Sequence, residues 1–291
     1  MKRPLVRVGI VALLLFGLAG CSATSAQLEL PEKNPDQWTL PLDAYTYDTA
    51  SLRDYAEALL DGACYAESGI DWPVPWQPED RDMRGASFSA GGARLYTSEL
   101  VAQYGYHTAP KDYDGFEEWG AFTREANAIA ENTAGFEAIS DSCITKTREI
   151  IPLPSDDTLY YVSSAANDIY TQALTTPDVV EAATKWNACM SDAGVGGYAS
   201  SPDLMPGEDA AAAWGLSDVS STAGTEEKFV AVTDVNCRLE SGWTEAFYLA
   251  NWDKQVAFIE ANSGRLRQVA NEITSEKEAL LDVIAKNAPA K

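Results

Sequence analysis

The segment TPDVVEAATKWNACMSDAGV, residues 176–195, carries most of the information about the fold of this chain. Thr176 is a residue type that caps helices, and Pro177 fits the first helical turn. Apolar residues recur at the spacing of one helical face, at Val179, Ala183, Trp186 and Met190. Gly194 is suited to end the helix. The segment therefore predicts an amphipathic helix with a cysteine near its end.

An earlier part of the chain repeats this pattern. Residues 51–69 place apolar residues on one helical face, at Leu52, Tyr55, Ala56, Leu59 and Ala63. Both helices close with an Ala-Cys pair, at Cys64 and Cys189, that is followed five residues later by a glycine. Downstream, the sequence SDSC at 140–143 is echoed by TDVNC at 233–237. We interpret these matches as a twofold internal repeat, with chance similarity between two amphipathic helices as the alternative.

The N-terminal residues carry an export signal. Three basic residues within the first seven positions precede an uncharged and mostly apolar run, residues 8–20. This run is shorter than the roughly 20 residues that a membrane-spanning helix needs. A charged start, a short apolar core and a small-residue end predict a signal peptide over residues 1–20.

The end of this leader resembles the bacterial lipobox at all four positions, Leu18-Ala19-Gly20-Cys21. The resemblance implies that a diacylglyceryl group is attached to the Cys21 sulfur and that the leader is cut off before Cys21. Two or more acyl chains anchor a protein stably. We therefore expect a lipid-anchored protein on the extracytoplasmic side of the cell membrane. An ordinary signal peptide that happens to end beside a cysteine is the alternative.

The mature chain is strongly acidic. Loss of the three basic residues of the leader lowers Lys plus Arg from 21 to 18, against 44 acidic residues, so the net charge falls from −23 to −26. Such a surface repels nucleic-acid phosphates and anionic lipid head groups, so no nucleic-acid partner is expected. Solubility is the simplest role of this charge, and binding of cations or of a basic partner is the alternative.

Four cysteines remain after Cys21, namely Cys64, Cys143, Cys189 and Cys237. An even number in an exported chain suggests disulfides, because the compartment is oxidising. Three pairings are possible, and spacing alone does not choose among them. If the repeat is real, each unit has its own disulfide, Cys64 with Cys143 and Cys189 with Cys237. Free thiols are the alternative.

The tail has the most regular pattern of the chain. Apolar residues recur every seven positions, at Trp252, Ile259, Leu266, Ile273 and Leu280. This heptad-like seam predicts a long helix or a helical hairpin, with Gly264 as a turn or a weak point. Two roles fit the seam: packing against the protein's own core, or binding a protein partner in the cell envelope.

The complete pattern predicts a mainly α-helical ectodomain of two related disulfide-stapled units with a long C-terminal helical element. Further helices are expected over residues 95–103, 117–150 with a break near Gly135, and 158–174, and a loop over 202–224. The predicted organisation is a signal peptide at 1–20, a lipidated N-terminus and flexible tether at 21–47, a first helical unit at 48–154 and a second at 155–291.

The chain offers little catalytic chemistry. Its single histidine, His107, does not supply the His-rich sites that zinc enzymes use. A Ser-His-Asp triad would need one histidine, but the chain has no Gly-x-Ser-x-Gly elbow, and Ser87 in GASFS fails at the last position. We interpret His107 as a structural or surface residue. No catalytic residue, metal ligand or cofactor is predicted.

Carboxylates are the one abundant reactive group. Two of them about 5–9 Å apart could cleave a glycosidic bond, but 44 acidic residues make some such pair expected by chance. Asp156-Asp157 and Glu117-Glu118 are therefore weak candidates. The stretch DYDG at 112–115 lacks the later ligands of a calcium loop and predicts a turn. Eight tryptophans would suit sugar stacking, although Trp186 lies on a predicted core face.

Three stretches resemble motifs of a group of exported lipoproteins from high-GC Gram-positive bacteria. They are residues 186–190 (WNACM), 232–237 (VTDVNC) and 104–106 (YGY). The resemblance covers most of the mature chain and implies paired cysteines and an extracytoplasmic location. Tyr65 departs from it, since the group tends to have Met there. The resemblance brings no active site to this chain.

These observations favour a non-enzymatic binding or interaction module in the cell envelope. The missing catalytic motifs and the heptad-like tail support it. A carboxylate-dependent hydrolase of cell-wall glycan is one alternative, supported by the acids and tryptophans. An extracytoplasmic solute-binding protein is another, although the near absence of strand–helix–strand patterning argues against it.

Overall fold

The computed structural model describes residues 30–46, 48–81, 83–89, 91–218 and 220–291. The expected leader, Cys21 and residues 22–29 of the expected tether lie outside the described residues. The described part is mainly helical, as predicted, and its only β-structure is two isolated bridges. Its α-helices are α1 (Ala50–Glu67), α2 (Ser98–Tyr104), α3 (Phe116–Asn132), α4 (Phe136–Ile150), α5 (Asp156–Leu174), α6 (Pro177–Asp192), α7 (Glu208–Ala213), α8 (Thr225–Glu240) and α9 (Trp243–Asn287).

The long helix α9 packs against helices from both predicted units. Its 45 residues extend roughly 67 Å at 1.5 Å per residue. Its first turns pack against α5 and α6, with Phe247 against Val179. Its middle packs against α5 and a 3₁₀ helix at Pro41–Tyr45, and its last turns pack against α1. Together with a cluster around Trp252, four core clusters of the described residues are therefore arranged along one helix.

The predicted heptad-like seam is packed within the chain. Four of its five members are buried, with Leu266 and Leu280 fully inaccessible, while Ile273 is partly buried. The element is one helix with a break at Asn262, where φ is −119°, two residues before the predicted weak point. The Asn262 side chain donates to the Phe258 carbonyl and accepts from the Tyr161 hydroxyl, so it competes with the regular backbone ladder.

Both predicted disulfides are present. Cys64 on α1 bonds Cys143 on α4, and Cys189 on α6 bonds Cys237 on α8, with Cα atoms 5.6 Å apart in each. Each bond therefore joins two neighbouring helices of one predicted unit, as the repeat requires.

The two repeated helices also end in the same way. Gly69 and Gly194, the predicted stops, have left-handed φ values of 78° and 75°. In each helix the residue after the glycine donates its N–H to the carbonyl of the residue after the cysteine, at 3.1 and 3.0 Å. This bond and the positive φ define the Schellman motif, which favours glycine at this place. The shared local geometry supports the interpretation as a repeat.

The structure differs from the sequence-based expectation in four places. Residues 34–46 are not part of a flexible tether, because Leu40, Leu42 and Tyr45 are buried against α9. The Thr176 hydroxyl donates to the Ala173 carbonyl instead of capping α6. Helix α2 begins three residues later than expected and packs on α8, so it joins the two units. The expected loop at 202–224 contains α7 and a short 3₁₀ helix.

Candidate functional site

A cleft of about 780 Å³ opens where residues 35–46 and residues 91–98 meet the helices α5, α8 and α9. Ligand sites typically have volumes of about 300–1,000 Å³ and aromatic walls with a few polar groups. This cleft has five aromatic residues in its lining, at Trp38, Tyr96, Tyr170, Trp243 and Phe247. Its size and composition are those of a small-ligand site.

The aromatic wall is built around Phe247 of α9. The ring of Tyr170 on α5 meets it edge-on, with centroids 4.9 Å apart and planes at 89°. The Trp243 ring stacks on Phe247 with centroids 4.8 Å apart, and the Trp38 ring lies 5.6 Å from it. Tyr170 keeps 37% of its surface exposed, so its ring is available to a ligand.

Trp38 reaches this wall through a strained turn. Its φ is +50°, a conformation that large residues rarely adopt. The turn is closed by hydrogen bonds from Trp38 N to Pro35 O at 3.2 Å and from Thr39 N to Asn34 O at 3.1 Å. Such strain persists where surrounding contacts enforce it, and it concentrates at binding sites.

The rim of the cleft depends on a close backbone approach. A Cβ added at Gly91 would lie 1.9 Å from an Asp43 carboxylate oxygen, so the loop approaches the 3₁₀ helix as only glycine allows. The other Asp43 oxygen accepts from Leu40 N at 2.8 Å. Burial raises the pKa of Asp43, against the opposing effects of this hydrogen bond and of Arg84. Asp43 is thus a half-buried carboxyl in the lining of the cleft.

Helix α8 places three charged residues on one buried face. Glu227, Asp234 and Arg238 are seven and four residues apart, a spacing that aligns them along the helix. Their exposed fractions are 1%, 0% and 7%. The apolar residues Val230 and Val235 of the same helix belong to the adjoining core cluster. Buried charges require compensating partners. Glu227 at one end of this face, and Asp234 and Arg238 at the other, have separate groups of hydrogen-bonding partners.

Arg238 is part of the cleft lining, and the fully buried Asp234 holds it in place from behind. Arg238 Nε donates to one Asp234 oxygen and its terminal nitrogen to the other, both at 2.8 Å. Trp186 Nε1 at 2.9 Å and the Tyr106 hydroxyl at 3.0 Å also donate to this carboxylate, which therefore accepts four hydrogen bonds. The guanidinium lies 5.1 Å from the centroid of the Trp243 ring, which is within cation–π range.

The pKa shifts follow from this arrangement. Burial alone would lower the pKa of Arg238, but the charge and hydrogen bonds of Asp234 raise it above its usual value. Burial, reinforced by the Asp234 charge, raises the pKa of Tyr106 far above its ordinary range. The guanidinium is therefore charged and the phenol is neutral at any physiological pH.

The other end of the α8 face holds a second polar cluster. One oxygen of Glu227 accepts from Tyr106 N at 2.7 Å and from His107 Nδ1 at 2.9 Å. His107 Nε2 lies 3.1 Å from Ser221 Oγ. Gly105 makes this possible, since its φ is +56° and an added Cβ would lie 2.4 Å from the same Glu227 oxygen. The second Glu227 oxygen has no partner among the described residues.

Most residues singled out by the sequence lie away from both clusters. Glu117-Glu118 and Asp156-Asp157 are exposed in the first turns of α3 and α5, where acids favour the helix dipole. Ser87 is buried and accepts from Ala109 N. The DYDG stretch is a turn preceding α3, as predicted. Among the described residues, no group of three or more His, Cys, Asp or Glu side chains could hold a metal ion.

His107 is the exception, because it is nearly buried and has partners on both ring nitrogens. The sequence left it as a structural or surface residue. Its partners Glu227 and Ser221 lie more than 110 positions away in sequence, so no local motif could have linked them.

No protein-family model, curated protein or solved structure matches this chain. In the part of the chain that the structure covers, no helix combines the length and the apolar character needed to cross a bilayer.

Proposed function

We propose that this protein is an extracytoplasmic binding protein that is held on the cell membrane by lipid on Cys21 and takes its ligand in the aromatic cleft. The observation that carries the proposal is the cleft itself, which combines five aromatic side chains with a small number of polar groups. The sequence LAGC at residues 18–21, where the expected leader meets Cys21, supports the location on the membrane.

The lining favours a neutral ligand with hydroxyl groups, such as a short glycan. Aromatic faces suit the apolar faces of sugar rings, while Asp36, Asn167 and Asp203 supply hydrogen-bonding groups in the lining. The Arg238 charge is already neutralised by Asp234. The large net negative charge of the chain disfavours anionic ligands.

A carboxylate-dependent glycan hydrolase is the second candidate. It is favoured by Asp43, a cleft carboxyl whose burial raises its pKa, as a general acid would need. The two candidates differ in outcome, because only a hydrolase would release reducing sugar ends on incubation with the glycan. A solute-binding protein that hands its ligand to a transporter remains a third.

Binding in the cleft predicts a selective effect of Tyr170→Ala. Loss of this ring should weaken binding of short neutral oligosaccharides roughly 2- to 10-fold, the equivalent of one aromatic contact. The measurement is a titration of tryptophan fluorescence, checked by calorimetry, with fragments of cell-wall glycan and other oligosaccharides. Circular dichroism should show unchanged helix content.

The matched control is Tyr160→Ala on the same helix, α5. Tyr160 is 60% exposed and is not among the residues that line the cleft. The proposal fails if no oligosaccharide binds the intact protein, or if both variants weaken binding to the same extent.

The lipid anchor predicts that Cys21→Ser moves the protein from the membrane fraction to the soluble fraction, because the acyl chains have no other attachment site in the lipobox. Immunoblots of fractionated cells measure the change, with Ser22→Ala as a control that keeps the cysteine. Retention of the Cys21→Ser variant on membranes, or an unmodified Cys21 in the mass spectrum of the native protein, contradicts the anchor.

A further inference from the structure

We propose that Ser221, His107 and Glu227 form an acyl-transfer site that hydrolyses acyl esters, separate from the cleft. Ser221 Oγ lies 3.1 Å from His107 Nε2, and His107 Nδ1 lies 2.9 Å from a Glu227 oxygen. A serine hydroxyl, an imidazole and a carboxylate in this order activate the hydroxyl as a nucleophile. Such triads are recognised by geometry and not by sequence order, so the missing elbow motif does not exclude one.

The carboxylate fixes the imidazole in the required form. Glu227 is almost completely buried and has only His107 and Tyr106 as partners among the described residues. With Glu227 ionised, His107 Nδ1–H donates to it, and the lone pair of Nε2 faces the Ser221 hydroxyl. The imidazole is also held in place, since its side chain is only 10% exposed.

A structural role accounts for only part of this arrangement. The hydrogen bond from Tyr106 N to Glu227 already holds the turn that precedes His107 against α8. Ser221 comes from a separate loop and adds a hydroxyl to the far nitrogen of the ring. Its Oγ also lies 3.2 Å from the Trp214 carbonyl, so the hydroxyl has two acceptors and can turn between a resting and an activated bond.

The surroundings of Ser221 leave its hydroxyl accessible from solvent. Ser221 is partly exposed and its neighbours Thr222 and Gly224 are exposed, so an ester can approach from solvent. Ser221, His107 and Glu227 are not among the residues that line the cleft, so the two sites are separate. The Thr222 N–H makes no hydrogen bond to another described residue. It follows the nucleophile directly, the position that supplies an oxyanion donor in other serine hydrolases.

The reaction balances without a cofactor. Ser221 Oγ bonds to the ester carbonyl carbon as its proton passes to His107 Nε2. The carbon–oxygen bond to the alcohol then breaks, and the alcohol leaves with that proton, so that Ser221 carries the acyl group. Water attacks the acyl carbon, its proton passes through His107 to Ser221, and the carboxylic acid leaves.

The test uses the mature protein with a fluorophosphonate probe and with p-nitrophenyl acetate. We expect the probe to label Ser221, as located by peptide mass spectrometry, and p-nitrophenyl acetate to leave an acetyl group there. Ser221→Ala should abolish labelling, because it removes the oxygen that is labelled, and His107→Gln should slow labelling of Ser221 by roughly 100-fold or more, the contribution of a general base. Ser220→Ala is the matched control, because its hydroxyl bonds only Asp218 among the described residues, and it should label normally.

Three results would overturn the proposal: no labelling above that of heat-unfolded protein, labelling at another residue, or labelling of Ser221 that His107→Gln leaves unchanged. If His107→Gln fails to fold, comparison of Ser221→Ala with Ser220→Ala still tests the proposal. Each variant removes one serine hydroxyl, partly exposed at Ser221 and exposed at Ser220, so both should fold. Failure here leaves the cleft proposal intact, because Tyr170 and the oligosaccharide titration involve none of these residues.

Discussion

Asp234→Asn should lower the free energy of unfolding by about 3–5 kcal/mol, the cost of leaving a buried charge without its partner. The substitution leaves the Arg238 guanidinium, only 7% exposed, without its counter-charge in the interior. It also weakens the acceptor for Trp186 Nε1 and the Tyr106 hydroxyl. Urea unfolding followed by circular dichroism measures the change.

Two further variants separate the charge from the packing. Asp234→Asn combined with Arg238→Met removes both buried charges, so we expect it to recover much of the loss. Glu181→Gln on α6 breaks an ion pair with Lys185 at the same i, i+4 spacing, but both side chains are largely exposed, so little change is expected. A small loss for Asp234→Asn, comparable with that of Glu181→Gln, would show that water or rearrangement compensates the Arg238 charge.

The elements that the sequence predicted well are those with strong local patterns. Helix α6 was predicted from its apolar spacing, its proline and its glycine, all within 20 residues of one another. The break between α3 and α4 lies at Gly135, where φ is +75°. The disulfides were predicted because the repeat reduced three possible pairings to one. In each case the decisive information lies in neighbouring residues or in a comparison of two segments of the chain.

The parts that the sequence did not predict depend on contacts between distant residues. Glu227, Asp234 and Arg238 are charged, and charged residues on a helix are typically exposed. Their burial is decided by Tyr106, which lies 128 positions before Asp234 and contacts both acids. The sequence signal for this site was the row of three charged residues at i, i+7 and i+11, which lies among apolar residues of the same helix. Without knowledge of the partner, that row cannot be distinguished from a solvated face.

The cleft was missed for a related reason. Trp38 and Asp43 lie in a polar, proline-containing segment that lacks periodicity, a composition typical of linkers. The segment is ordered by single long-range contacts, such as the hydrogen bond from Leu42 N to Gln255 at 2.9 Å. Residues on α9 therefore determine its conformation, and no pattern within the segment could reveal the aromatic wall.

Removal of the second disulfide should have an effect as large as that of Asp234→Asn and should also impair binding. For Cys189→Ala with Cys237→Ala, the chain-entropy account predicts a loss of about 4 kcal/mol in unfolding free energy, given a loop of 48 residues. Alanine is preferred to serine because Cys237 is fully buried, and a hydroxyl there would lack a partner. Chemical denaturation measures the loss, and oligosaccharide titration measures binding.

The first disulfide is the matched control within the same molecule. Its loop spans 79 residues, so Cys64→Ala with Cys143→Ala should cost nearly the same, since the entropy depends only on the logarithm of loop length. Binding should differ between the two variants. The second disulfide joins α6 to α8, and α8 carries Arg238, which lines the cleft and is paired with Asp234, the acceptor for Trp186 of α6. The first disulfide joins α1 and α4, neither of which contributes to the cleft lining. Equal loss of binding in both variants, measured where both remain folded, would mean that the cleft depends on the stability of the whole protein and not on the packing of α6 against α8.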